Sequence, residues 1–216
     1  KVIYNLRKKK GKDYFISDIL SEIEKDLESS RDAKVAASGL FKAAETWGIF
    51  ADEEIKETNA RELANAGITT VVDLSTYSSV GAFNIRALVI GLISRNLFSE
   101  RILARKKEEV ETVRYGSNYL SYSSKKEMPL VWIFIDEAHE FLQKTGKTPA
   151  TDSLIQILRE GRQPGMSLVL ATQQPGQIHK DVMTQSDIVI SHKLTAQPDI
   201  LALNEIMQGY LLESIN

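Results

Sequence analysis

Apolar residues change their spacing near residue 67. Ahead of it they recur at helical intervals. Ile19, Leu20, Ile23 and Leu27 share one face of a helix expected over Ser17–Ser29, with Ser17 as N-cap. Val35, Leu40, Ala43, Ala44 and Trp47 mark a second helix over Arg31–Trp47, stopped by Gly48. Beyond Gly67 the β-branched run Ile68–Leu74 reads as a buried strand followed by a polar turn. A long helix is expected over Gly81–Val110, apolar nearly all round in its first half and charged in its second. Val131–Ile135 reads as a strand buried on both faces, and it stops at Asp136-Glu137. Thr148 as N-cap and Pro149 at the first position open a helix to about Arg162. Ser167–Thr172 is the next strand, Ile178–Thr184 one or two helical turns, Asp187–His192 a fourth strand, and Pro198 opens a last helix. Strands alternating with helices predict an α/β core over 67–216, its sheet mostly parallel and flanked by helices, with 1–66 as a helical appendage.

Composition changes this picture little. The 216 residues hold one sizeable core, and 43% hydrophobic with 26% charged residues is ordinary for a globular chain. A net charge of −2 makes any nucleic-acid contact local. The local candidates are the basic stretch over residues 1–12, otherwise a solvated loop or tail, and Tyr115, Tyr119 and Tyr122 in the polar connection 111–128. The absence of cysteine excludes disulfides and thiolate metal sites and fits a reducing, cytoplasmic compartment. His139, His179 and His192 are too scattered for a metal centre. Ala87–Ile93, the most apolar stretch, is too short to span a bilayer. A start at Lys1 inside a Val-Ile-Tyr run implies a trimmed chain.

The chemistry lies at strand ends. In an open parallel sheet ligands sit beyond the carboxyl ends of the strands. Three expected strands end in polar groups there: Asp73, Asp136-Glu137 and Thr172-Gln173. This pattern is that of the second half of a P-loop NTPase site, with ATP and Mg²⁺ as cofactors. Asp136 would hold the Mg²⁺ shell through water, Glu137 would orient the attacking water, and Gln173 would bond the γ-phosphate. The plain alternative for Asp-Glu is a helix N-terminal cap. Arg159 and Arg162 share one helix face and are candidates for a finger inserted into a neighbouring subunit's site; the plain alternative pairs them with Glu160 or Asp152. No Gly-x-x-x-x-Gly-Lys-Ser/Thr loop occurs. Gly146-Lys147-Thr148 imitates the end of one, but Phe141 stands where the first Gly belongs and Pro149 follows, so it reads as a turn feeding a helix.

The stretches Ile133–His139, Leu158-Arg159-Glu160-Gly161-Arg162, Leu168–Pro175 and Lys180-Asp181-Val182, in that order, resemble the archaeal and bacterial HerA/FtsK superfamily. Val71–Ser75, Leu194-Thr195 and Pro198-Asp199 add to the likeness, which covers about residues 67–206. The resemblance implies a RecA-like core and a hexameric, ATP-hydrolysing translocase or helicase on double-stranded DNA, possibly feeding a nuclease. It implies Mg²⁺ and catalytic roles for Asp136 and Glu137, a γ-phosphate sensor in Gln173, and an intersubunit finger in Arg162, with Arg159 second. Gln174 stands where many members have Arg, and Pro164 interrupts the link after the finger. The phosphate-loop half is missing, so the piece alone is expected to bind ATP weakly or not at all. The competing functions are a type IV secretion or conjugation ATPase and a non-hydrolysing module that docks DNA or partners.

Overall fold

The computed structural model describes residues 1–11, 13–52, 58–77, 83–115 and 128–213. They fall into two units, Lys1–Asn59 and Ala60–Asn216.

The first unit contains helices α1 (Val2–Lys10), α2 (Ile16–Lys25) and α3 (Arg31–Glu45). The basic stretch, expected as a loop or tail, is therefore helix α1. Its Leu6 packs with Ile19 and Ile23 of α2 in a small core edged by Val2, Tyr14, Ala37 and Phe41. Lysines along α1 meet acids of α2 and its C-terminus: Lys1 with Asp26 at 2.7 Å, Lys9 with Glu22 at 2.7 Å and Lys10 with Asp18 at 2.8 Å. The hydrogen bond from Lys1, then that from Ser29, holds the Asp26 carboxyl far below the ordinary carboxylate range. Asp18 is lowered by Lys10 first and by the Phe15 N–H second. Ser30 caps α3, its hydroxyl accepting the Ala33 N–H at 3.3 Å.

The second unit contains α4 (Ala60–Leu63), α5 (Phe83–Tyr115), β1 (Val131–Ile135), α6 (Thr151–Glu160), β2 (Met166–Leu170), α7 (Lys180–Gln185) and α8 (Gln197–Glu213). β1 and β2 pair in parallel, from Val131 opposite Met166 to Ile135 opposite Leu170, with α6 as the crossover between them. Val131, Met166 and Ile157 pack with Leu97, Phe98 and Ala104 of α5. Ile135, Ala138 and Leu142 pack with Ala87 of α5, Leu154 of α6 and Val182 of α7. Helix α5 approaches the turn that leads into α6 so closely at Gly91 that a Cβ there would lie 2.7 Å from the Pro149 carbonyl oxygen.

A guanidinium lies deep in this packing, among several buried polar groups. Arg101, 1% exposed, donates from Nε to the Pro164 carbonyl and from a terminal nitrogen to the Met128 carbonyl, both at 2.8 Å. A further bond reaches Glu108 at 3.2 Å. The planar guanidinium thus joins the segments that lead into β1 and β2 and leaves neither carbonyl without a donor.

The expected RecA-like core is not built. Among the described residues the only strands are β1 and β2. Residues 68–74 and 187–192 have no strand partner, and Ile68, Val71, Ile188 and Ile190 are exposed. Their β-branched composition favours an extended backbone, but a sheet is stabilised by cross-strand pairs and burial, which these segments lack. β1 also departs from expectation. It is buried on alternate residues only, with Trp132 64% and Phe134 72% exposed, so among the described residues one face of the sheet is bare. No described helix is long and apolar enough to cross a membrane.

Candidate functional site

The polar residues at the carboxyl ends of β1 and β2 do meet. Parallel pairing in register continues past both strands: Ala171 N–H donates to the Ile135 carbonyl and Ala138 N–H to the Ala171 carbonyl, each at 2.9 Å. This brings the chain after Ile135 beside the chain after Leu170. Gln173 Nε2 then donates to Glu137 Oε1 at 2.6 Å.

Glu137 is the one described non-glycine residue at positive φ, at 48° with ψ 44°. A left-handed conformation costs an ordinary residue about 1–2 kcal/mol. Local bonds hold it there: Asp136 Oδ1 accepts the Glu137 N–H at 2.9 Å, and the Glu137 carbonyl accepts the Glu140 N–H at 2.9 Å. Glu137 Oε2 is buried without a hydrogen-bond partner among the described residues, and His139 Nδ1 lies 3.5 Å away. His139 Nδ1 is 2.9 Å from Thr172 Oγ1, which also accepts the Gln174 N–H at 3.0 Å. Arg86 of α5 pairs with Glu140 at 3.3 Å behind this turn.

His139 and Thr172 are the members that reading the sequence for site residues missed. The signal available was position: Thr172 ends the same apolar run as Gln173, and His139 lies two residues past Glu137. The other expected residues stand apart from the pair. Asp73 accepts the Ser75 N–H at 2.8 Å in a local turn, and this bond lowers its carboxyl below the ordinary range. Arg159 forms an ion pair with Asp181 of α7 and so braces α6 against α7, rather than pairing with Glu160 or Asp152. Asp152 instead pairs with Lys147 at 2.8 Å. Arg162 is exposed, and no described residue holds its side chain by a hydrogen bond or ion pair.

These groups do not fit ATP and Mg²⁺, and that expectation is corrected along with the hydrolase, Walker-type and P-loop reading. Gly146-Lys147-Thr148 is a turn: Gly146 has φ 87°, Lys147 is paired, and buried Thr148 donates to the Phe141 carbonyl at 2.8 Å. No three described His, Asp or Glu side chains converge as metal ligands. Glu137 and Gln173 bond each other, and Asp136 bonds its neighbour's N–H. What the arrangement does is tie the ends of two strands together.

Comparison with known proteins places this unit. Over 151 residues the chain is 28% identical to a probable DNA double-strand break repair helicase HerA of Methanocaldococcus jannaschii, covering 62% of this chain and 30% of that protein. Over 163 residues it is 26% identical to the DNA double-strand break repair helicase HerA of Pyrococcus furiosus, covering 69% of this chain and 29% of the relative. The chain thus spans less than a third of either relative, and the kinship to HerA helicases is distant and partial. The model of the zonular occludens toxin (Zot) family matches residues 82–197, which run from the start of α5 through both strands to the start of α8. Since that match takes in more than half of the chain, the chain belongs to the zonular occludens toxin (Zot) family.

Proposed function

We propose that the chain is a non-hydrolysing docking module that binds a protein partner on the bare face of its two-stranded sheet. The observation that carries this reading is that face. Leu130, Trp132 and Phe134 from β1 and its approach are 61%, 64% and 72% exposed, and Val169 of β2, opposite Phe134, is 36% exposed. Parallel sheets are ordinarily covered on both faces. Exposed aromatic residues grouped on one rigid surface are the composition of interface centres. The Trp132 and Phe134 rings lie 6.4 Å apart at 24°, which presents them as one surface. In this reading Glu137, Gln173, His139 and Thr172 hold the strand ends in register beneath the partner, and Arg162 and Asp136 are polar contacts at the rim.

The relatives are helicases of DNA repair, and exposed aromatics can also stack on bases. The charges favour a protein instead. None of Leu130, Trp132, Phe134, Ser167 and Val169 is a cation, and Asp136 stands exposed at the end of β1. The basic helix α1 commits Lys1, Lys9 and Lys10 to acids of its own unit.

A photo-crosslinking amino acid in place of Phe134, in the full chain inside its host cell, tests the reading. A discrete protein adduct is expected, lost when Trp132→Ser is added. Adducts to nucleic acid, or none above the level of the same label at exposed Lys144, overturn it.

A further inference from the structure

We draw no further inference here: the strongest candidate, the apolar outer face of the β1–β2 sheet around Trp132 and Phe134, belongs to the docking surface already described, and nothing in the structure shows what covers it.

Discussion

The two faces of the β1–β2 sheet come from the same ten residues and have opposite surroundings. On one face Val131, Ile135 and Met166 are 8%, 6% and 3% exposed beneath α5 and α6. On the other Trp132 and Phe134 stand in solvent. The larger side chains are on the outside, so hydrophobicity did not sort them; helix packing on one side did. The covered face carries stability and the bare face is available for recognition.

The strongest way to break that contrast is Arg101→Met. It leaves the Met128 and Pro164 carbonyls without their donor and Glu108 with Arg105 alone, and should cost about 3–5 kcal/mol. Denaturant unfolding checks it; a loss under 1 kcal/mol would show that the covered face does not depend on this anchor. Gly91→Ala pushes a methyl against the Pro149 carbonyl and should cost about 1–3 kcal/mol by forcing α5 from the turn that leads into α6, read as a lowered urea midpoint. Ile135→Val, one methyl removed from the covered face, should cost about 0.5–1.5 kcal/mol in the same assay. Trp132→Ser and Phe134→Ser should each change stability by no more than about 0.5 kcal/mol, and Trp132→Ser should abolish the crosslink from a label at position 134. A loss of several kcal/mol there would mean that the outer face is covered in the folded protein and the contrast fails.

Much of the local structure was legible. Helices α2, α3 and α5, the strands β1 and β2 and the α6 crossover all lie where spacing and punctuation placed them, with ends shifted by a few residues. Thr148 illustrates the shift: expected as the N-cap, it sits in the preceding turn, and α6 begins at Thr151. Helix α1 was missed because its cations conceal its one buried residue, Leu6, and acids of another helix neutralise three of them. The juxtaposition of Glu137 and Gln173 followed from reading two strand ends as neighbours. The separation of Asp73 from that pair did not, since its carboxylate closes a local turn with Ser75 that spacing does not encode, nor did the ion pair of Arg159 with Asp181.

By itself the sequence determined most of where the backbone is helical or extended, helices α1 and α4 excepted, because helix periodicity, caps and β-branched runs act over a few residues. It determined that Asp136-Glu137 and Thr172-Gln173 close two apolar runs. Only the tertiary structure decided which extended runs became strands. Val131–Ile135 and Met166–Leu170 found each other across α6, whereas 68–74 and 187–192 remained unpaired. The reason is that a helix satisfies its hydrogen bonds within itself, and a strand exists only through its neighbour.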